Sequence, residues 1–366
     1  MRKLPLEYLR PGMVVARPIF SAEGKVLLNK GVVLKPYYIQ RLRELGVPAV
    51  YVVDEKLGDL EVTDVVSDTT RIKALKIVKE MMAARQEQKN SSGTSLIKPQ
   101  RVQQVVDQII DDLLEQKEIV VNLMDIRAID DYTFGHSVNV CILALITGIT
   151  LGYTRSNLVQ LGMGALFHDI GKTLIPLDIL NKPGALTPEE YSVVCCHARY
   201  GFDILSSQEE ISPTVALVAL EHHERYDGSG YPEGLKGQDI HEFAAITGIA
   251  DVYDALTADR VYRKAYPPHE ACELLAGAGN FRHDYRLIKA FLHNIAAYPS
   301  GTLVRLNTGE IGVVVDTPRG HSFRPRVRLL YDRYGRRLEA RKEINLLDEH
   351  HLWVSRVLQP EELPEP

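Results

Sequence analysis

The run Phe167–Lys172 places the strongest constraint on the fold, because it ends an apolar helical segment with a histidine and an aspartate side by side. Adjacent residues on a regular helix point about 100° apart. His168 and Asp169 can therefore serve one cluster only where the backbone leaves the helix, or where two metal ions lie side by side. Gly171 indicates a helix stop just after them. The run thus predicts a helix end that faces a polar cluster.

Donors of the same two kinds recur elsewhere in the chain, mostly within segments of helical periodicity. Imidazole and carboxylate together suit manganese, iron or zinc better than magnesium or calcium. A buried aspartate without a partner costs several kcal/mol, and the helical segments offer no evident ion-pair scheme for these residues. We therefore predict a site for two metal ions with the ligands His136, His168, Asp169, His197, His222, His223 and Asp251.

Composition and charge exclude several classes of protein. With 366 residues, 45% of them hydrophobic and 25% charged, the chain has the composition of a globular protein of two or three domains. Its net charge of -5 gives no overall attraction to DNA, so no DNA partner is predicted. The four cysteines lack the spacing of a disulfide scaffold, and the apolar stretch 138–151 is too short to cross a bilayer. We predict a cytoplasmic protein without membrane insertion.

The spacing of apolar residues divides the chain into three predicted domains. Residues 1–67 are predicted to form a small N-terminal mixed α/β module, with a helix at 38–45 and strands at 13–19, 25–34 and 49–53. Residues 299–366 are predicted to form a small C-terminal β module that ends in a frayed acidic tail from residue 359. Its predicted strands are 302–306, 311–315 and 326–331.

The middle part, residues 68–298, has helical periodicity, and the polar stretch 89–98 is predicted to be a loop within it. One segment predicts an amphipathic helix whose apolar face consists of Val102, Val105, Val106, Ile109, Ile110, Leu113 and Leu114. The predicted fold class is therefore mainly α. A multi-helix bundle carries the metal site, and the small N-terminal α+β module and the small C-terminal β module flank it.

Three basic residues near the ligands are candidates for phosphate contacts. Lys172 follows the His168-Asp169 pair by about one helical turn, and Arg260 and Arg263 follow Asp251 on what reads as one helix and its exit. The alternative is that these side chains are solvated or complement helix dipoles. The sequence favours phosphate contacts without excluding that alternative.

The motifs around these residues resemble those of the HD-GYP family, a branch of the HD-domain metal-dependent phosphohydrolases. The resemblance covers residues 128–266. It rests on YTFGH at 132–136, HDIGK at 168–172, NKPG at 181–184, His197 with Gly201, HHERYDGSGYP at 222–232 and DVYDALT at 251–257.

The resemblance implies hydrolysis of cyclic di-GMP to linear pGpG, and in some members on to GMP. By position, one metal would be held by His136, His168, Asp169 and Asp251. The second would be held by Asp169, His197, His222 and His223, with Asp169 bridging. Iron and manganese are the expected ions. Some members hold a third metal with a glutamate where this chain has Tyr132, so a dinuclear site is favoured.

The resemblance also assigns roles around the metals. Lys172, Arg260 and Arg263 fall where the family contacts substrate phosphate, and Tyr231 is expected to bind substrate. The Gly230-Tyr231-Pro232 loop would form a rim of the pocket and dock partner domains such as GGDEF cyclases. Three positions depart from residues that are common in the family: Ala198, Ala245 and Val261.

The expected mechanism is attack on the phosphodiester by a hydroxide that bridges the two metals. Lys172 would offset charge in the transition state, and Asp254 would orient a metal ligand by a hydrogen bond without itself binding the metal.

Two alternatives stay open. The chain could be a cyclic-dinucleotide sensor or protein-docking module with weak catalysis, or a phosphodiesterase for another cyclic dinucleotide such as cyclic GMP-AMP. The assembly state, with a homodimer as one option, is not fixed by the sequence.

Overall fold

The computed structural model describes residues 1–21, 25–47, 49–53, 64–87, 98–116, 119–121, 132–258, 264–339 and 342–364. These belong to two compact units. The first comprises Met1–Val65, Val120–Tyr132 and His293–Pro366, and the second comprises Val66–Ile119 and Thr133–Leu292. The division into three domains with boundaries at residues 67 and 298 stays a prediction.

The N-terminal part of the first unit contains short strands and one helix. Strand β1 (Arg2–Pro5) pairs antiparallel with β4 (Ala49–Val52), and β2 (Ile19–Phe20) pairs antiparallel with β3 (Val26–Leu28). Helix α1 spans Pro36–Glu44, and Gly46 follows it with a positive φ of 68°. The long predicted strands at 13–19 and 25–34 were wrong in extent, because that region holds isolated bridges such as Val14↔Val33.

The second unit is helical, which confirms the predicted mainly α fold. Among its described residues the helices are α2 (Asp68–Glu87), α3 (Pro99–Glu115), α4 (Tyr132–Thr150, which starts at the unit boundary), α5 (Arg155–Phe167), α6 (Leu177–Leu180), α7 (Pro188–Cys195), α8 (His197–Ser206), α9 (Pro213–Glu221), α10 (Glu242–Thr257), α11 (Pro268–Gly277) and α12 (Tyr285–Leu292). No described helix combines the length and the apolar content needed to cross a membrane.

Helix α3 buries most of its predicted apolar face, from Val102 to Leu113. Leu114 was wrongly placed on that face, since 54% of it is exposed. Residue 114 is one position, or about 100°, beyond Leu113, so its side chain points to the outer edge of the stripe.

Helix α5 lies in the interior of the second unit, and its last seven residues, from 161 to 167, are all buried. Thr154 caps its first turn by accepting a hydrogen bond from the backbone N–H of Asn157. Gly162 and Gly164 permit close packing, because an added Cβ would lie 2.6 Å from Val106 and 2.7 Å from Val218. These contacts hold the end of α5, where the predicted ligands begin, in the centre of the helical unit.

The C-terminal part of the first unit is an antiparallel five-stranded sheet in the order β8-β7-β6-β5-β9. The strands are β5 (Leu303–Leu306), β6 (Ile311–Asp316), β7 (Arg326–Tyr331), β8 (Glu343–Asn345) and β9 (Val354–Val357). The sequence did not predict β8 and β9. The described part of the tail is not frayed as predicted: Pro360–Glu362 form a 3-10 turn, and Leu363 packs against the core of the sheet.

Candidate metal centre

The predicted helix end at His168 is observed, but Gly171 does not cause it. Helix α5 ends at Phe167, and Asp169 precedes a 3-10 turn over Ile170–Leu174. A Cβ on Gly171 would lie 2.0 Å from the carbonyl oxygen of His197. Glycine is therefore required there so that the 3-10 turn can lie against the start of α8, which brings Asp169 next to His197.

The structure brings all seven predicted ligand side chains into one place. They form two groups, and within each group the ligand atoms lie within 4.8 Å of one another. The first group is His136, His168 and Asp251. The second group is Asp169, His197, His222 and His223.

Asp169 lies between the two groups and faces both. Its Oδ2 is 3.4 Å from His168 Nε2 and 3.9 Å from His136 Nε2, both in the first group. Its Oδ1 is 3.4 Å from His197 Nε2 and 3.9 Å from His222 Nε2, both in the second group. The two oxygens of this buried carboxylate thus point to two different sets of imidazoles.

Three of the histidines are oriented by the backbone one helical turn earlier. The Nδ1 atoms of His168 and His197 lie 2.7 Å from the carbonyl oxygens of Ala165 and Val194, and Nδ1 of His222 lies 2.9 Å from that of Ala219. Because a carbonyl can only accept, each Nδ1 carries a hydrogen, and in the neutral ring the lone pair is then on Nε2. All three lone pairs are therefore available at the centre.

The arrangement of nitrogen atoms fits a bound cation. His168 Nε2 is buried and has no hydrogen-bond partner among the residues that the structure describes. His197 Nε2 and His222 Nε2 are only 3.3 Å apart, although the backbone hydrogen bonds make both of them acceptors. A divalent cation satisfies both observations, and imidazole with carboxylate is a ligand set for divalent transition metals.

His136 is held differently, by a chain of side-chain hydrogen bonds. Its Nδ1 lies 2.7 Å from Oδ2 of Asp254, and Oδ1 of Asp254 accepts a hydrogen bond of 3.0 Å from the Asn139 amide. The oxygen of that amide in turn accepts a hydrogen bond of 3.2 Å from the buried Arg71. Asp254 was predicted to orient a ligand, and it contacts His136. Asn139 and Arg71 were missed, since nothing local in the sequence marks them.

In the second group the protonation states match those required of metal ligands. Burial lowers the pKa of His197 and His222, and it lowers the pKa of His223 to about 3. Burial raises the pKa of Asp169, but Lys172, His168 and His197 together outweigh burial and hold that pKa well below its usual range. The second group is therefore composed of neutral imidazoles and one ionised carboxylate.

In the first group, burial alone would lower the pKa of His136, but its hydrogen bonds with Asp251 and Asp254 raise that pKa to about 10. His136 Nε2 lies 3.0 Å from Oδ1 of Asp251. Burial raises the pKa of the Asp251 carboxyl, but the contact with His136 and the nearby His223 and His168 together hold that pKa below its usual range. Without a cation, His136 therefore keeps its proton.

The structure places two of the predicted substrate-contacting residues beside the ligands. Lys172 Nζ lies 2.5 Å from Oδ2 of Asp169, so its ammonium pairs with the central carboxylate. The ring of Tyr231 stacks on the imidazole of His223 with centroids 4.7 Å apart. Arg260 and Arg263 lie outside the described residues, and their role stays a prediction.

Glu224 is a further residue of the site whose role the sequence did not reveal. Its buried carboxylate accepts hydrogen bonds of 2.6–3.0 Å from three consecutive backbone N–H groups, at residues 233–235. The neighbouring Gly230 is required for space, since an added Cβ would lie 2.4 Å from the Arg225 nitrogen. Together these contacts fold the 222–235 loop back on itself and place Tyr231 over His223.

Comparison with known proteins matches two families. The family described as HD domain matches residues 115–287, and the family described as KOW domain associated with HD domain matches residues 303–365. A Pseudomonas aeruginosa protein named as a cyclic di-GMP phosphodiesterase is 37% identical over 227 residues, which are 62% of this chain and 55% of that protein.

A Vibrio cholerae protein named as a 3'3'-cGAMP-specific phosphodiesterase is 33% identical over 180 residues, which are 49% of this chain and 34% of that protein. The chain thus spans about half, or less, of the length of these curated relatives. Among solved structures, an HDG"Y"P protein from Bdellovibrio bacteriovorus has a TM-score of 0.52 at 17% identity and covers 79% of this chain and 97% of that chain. That likeness concerns the fold.

Proposed function

Because the chain belongs to the HD-GYP family, we propose that it hydrolyses a phosphodiester bond of cyclic di-GMP at a centre of two divalent metal ions. The observation that carries this proposal is Asp169, whose two oxygens face two sets of imidazoles at 3.4–3.9 Å. A carboxylate so placed can hold two cations side by side. The name of the Pseudomonas aeruginosa relative supports the choice of substrate.

The two ligand groups would each hold one ion, with Asp169 shared between them. The first ion would be bound by His136, His168 and Asp251, and the second by His197, His222 and His223. Iron and manganese are proposed because both accept a mixed set of imidazole and carboxylate ligands. When bound, such ions polarise phosphoryl oxygens and activate water as the nucleophile.

The surrounding side chains act on the substrate and on the ligands. Lys172 is 26% exposed and places its ammonium beside Asp169, where it stabilises the charge that develops on the phosphoryl oxygens. Asp254 fixes the ring of His136 through Nδ1. Tyr231 covers one face of His223 and keeps water from that face.

The proposed reaction consumes one water for each bond cleaved. The water oxygen bonds to phosphorus, the bond from phosphorus to the 3′-oxygen breaks, and that oxygen takes up a proton. The product is linear pGpG with a 5′-phosphate and a 3′-hydroxyl, and a second hydrolysis would give GMP. The proposal also includes phosphate contacts from Arg260 and Arg263, docking of a GGDEF-type cyclase on Gly230-Tyr231-Pro232, and a homodimer.

Metal analysis and product analysis on the same preparation test this function. Protein purified without oxygen is expected to carry two iron or manganese ions per chain and to convert cyclic di-GMP to pGpG. The variant Lys172→Ala is expected to keep both ions while turnover falls by about 10²-fold, the order found on removing one charge-stabilising group. Binding of intact cyclic di-GMP by the two-metal protein, with no pGpG formed over hours, would contradict hydrolysis and favour a sensor.

A second candidate substrate is cyclic GMP-AMP, which the similarity to the Vibrio cholerae protein favours. The metal centre acts on the phosphodiester and does not distinguish the two substrates, because they differ only in one base. Hydrolysis of equimolar mixtures of cyclic di-GMP and cyclic GMP-AMP measures the ratio of their kcat/KM values directly. A ratio in favour of cyclic GMP-AMP would replace the first candidate by the second.

A further inference from the structure

A cavity of about 980 Å³ lies beside the second ligand group, within the helical unit. His222, His223 and Tyr231 form part of its wall, so it is continuous with the metal centre. Ligand cavities of about 300–1,000 Å³ are typical of sites for small molecules, and this one is large enough for a dinucleotide. A cyclic dinucleotide has two phosphates, of which only one can occupy the metal centre at a time.

Two arginines on the wall of this cavity form no ion pair within the part of the chain that the structure describes. Arg225 is half-buried and Arg282 is exposed, and no carboxylate among the described residues lies within ion-pair distance of either guanidinium. The wall also contains Glu224, but its carboxylate is occupied by three backbone N–H groups. Glu270 and Glu273 of α11 line the cavity too, without pairing with either arginine in the described part of the chain.

Arg225 and Arg282 come from segments that are in contact, because the backbone N–H of Tyr226 donates a hydrogen bond of 3.0 Å to the carbonyl oxygen of Arg282. His283, which also lines the cavity, has a pKa that burial lowers first and that the charges of Arg225 and Arg282 lower further, to about 4. The metal ligand Asp251 acts on the same imidazole in the opposite direction. Two guanidinium charges, of which Asp227 compensates that of Arg225 in part, therefore lie within electrostatic reach of the metal centre.

The cavity also exposes aromatic rings that nucleobases can cover. Tyr266 is 37% exposed and Phe281 is 59% exposed, and both line the wall. Stacking of bases on such rings stabilises bound nucleotides irrespective of sequence. Guanidinium groups beside exposed rings match the alternation of phosphate and base in a dinucleotide, which neither a simple phosphomonoester nor a peptide offers.

We propose that Arg225 and Arg282 form an anion subsite that binds the phosphate of the cyclic dinucleotide that is not being cleaved. This inference rests on the proposed function and deepens it, because the subsite makes the centre selective for substrates with two phosphates. Planar guanidinium groups bind phosphate through paired hydrogen bonds, and hydrogen bonds to charged groups are among the stronger ones. The contact holds the ring of the substrate while the other phosphate occupies the centre.

The test compares Arg225→Gln, Arg282→Gln and the double variant with wild type, all as full-length, metal-loaded protein. Lys289→Gln is the matched control, since it removes one charge from an exposed position of α12 that does not line the cavity. The probes are cyclic di-GMP, cyclic di-AMP, the single-phosphate dinucleotide GpG, and bis(para-nitrophenyl) phosphate. Metal content is measured for each protein, and binding is measured by calorimetry alongside turnover.

Each arginine variant is expected to raise KM and Kd for both cyclic dinucleotides by about 10-fold to 100-fold, the range for a hydrogen bond to a charged group. The same variants should change turnover of GpG and of bis(para-nitrophenyl) phosphate less than about twofold. Unchanged Kd for the cyclic dinucleotides, or equal losses on all four probes, would overturn the subsite. A loss confined to cyclic di-GMP would also overturn it, because it would indicate contacts with guanine.

Failure of the subsite and failure of the proposed function give different results. If wild type cleaves cyclic di-GMP and the arginine variants bind it equally well, the function stands and the subsite is refuted. If wild type binds cyclic dinucleotides without cleaving them and the variants bind more weakly, the subsite stands and hydrolysis is refuted. Absence of binding by wild type refutes both.

Discussion

The two ligand groups differ in what holds their histidines. In the first group, His136 comes from the interior of α4 and donates through Nδ1 to the carboxylate of Asp254. In the second group, His197 begins α8 and His222 caps the end of α9, and each donates to a backbone carbonyl. The first group thus depends on a side chain 118 residues away, whereas the second depends on the local fold of helix ends.

The difference also sets the charge of each group. A carboxylate behind an imidazole favours the proton on that ring, whereas a neutral carbonyl does so much less. His168 belongs to the first group but is held by a carbonyl in the manner of the second. The two groups therefore differ mainly at His136 and its partners Asp254, Asn139 and Arg71. Each of the following experiments changes the first group, the second group or both.

The largest effect is expected from Asp169→Asn, because this residue serves both groups. The amide has one neutral acceptor oxygen in place of two charged ones, so neither ion keeps its ligand. Elemental analysis should find both ions lost, and hydrolysis of cyclic di-GMP should fall by at least about 10²-fold to 10³-fold. Retention of one ion at full occupancy would show that the groups do not share this carboxylate.

Gly171→Ala should disrupt the backbone on which the second group depends. The added Cβ would lie 2.0 Å from the His197 carbonyl oxygen and 2.5 Å from the Gly201 nitrogen. Backbone atoms cannot move aside as side chains can, so unfolding of the metal-free protein should become easier by roughly 1–3 kcal/mol.

The matched control is Gly135→Ala, one residue before His136, where an added Cβ has no atom of the described residues within 4 Å. In a helix this exchange stabilises by about 0.4–1 kcal/mol through the unfolded chain. Denaturant titration of both variants measures the contrast. Equal stability of the two variants would contradict the role assigned to Gly171.

The sequence could reveal the ligand pairs at helix ends more readily than the residues that support His136, and the reason is physical. His168-Asp169 and His222-His223 are adjacent pairs at helix ends, so a short stretch of sequence carries both the ligand and the turn that orients it. Asn139 lies well inside α4 and Arg71 lies in the first turn of α2, and both act through contacts that only the folded chain creates.

The same reasoning explains the partial success elsewhere. Helix α3 was predictable because its periodicity reports one buried face, apart from Leu114 at the edge of that face. Strands β8 and β9 are three and four residues long and lack a clear alternation, so they were missed. Gly171 was assigned to the helix end because a glycine that permits close packing cannot be told from a helix stop by sequence alone.

Asp254→Asn should weaken the first group alone. Asp254 accepts from His136 on one oxygen and from Asn139 on the other, but an asparagine offers a single acceptor oxygen. Affinity for the ion of the first group should fall about 10-fold to 100-fold, as is usual when a partner behind a ligand is lost. Titration against a chelator should show one binding step weakened and one unchanged.

A compensating variant sharpens this result. In Asp254→Asn combined with Asn139→Asp, the amide of residue 254 can donate to the new carboxylate while its oxygen still accepts from His136. The double variant should recover part of the lost affinity, a coupling expected of residues in one hydrogen-bond network. Losses that simply add would show that Asn139 and Asp254 act independently.

The smallest expected effect is on the number of protons that each group releases when it binds its ion. In the metal-free protein the pKa of His136 is raised to about 10, so near neutral pH an ion entering the first group must displace one proton. The imidazoles of the second group have lowered pKa values and are already neutral. The affinity of the first group for its ion should therefore rise about tenfold per pH unit between about pH 6 and 8, while the affinity of the second group does not change with pH.

Calorimetry in buffers of different ionisation heat should count one proton released in the first group and none in the second. The release should diminish in Asp254→Asn, because this exchange removes one of the two contacts that raise the His136 pKa. Equal proton release from both groups would mean that the carboxylate behind His136 does not set its charge, and the contrast between the groups would then be one of geometry alone.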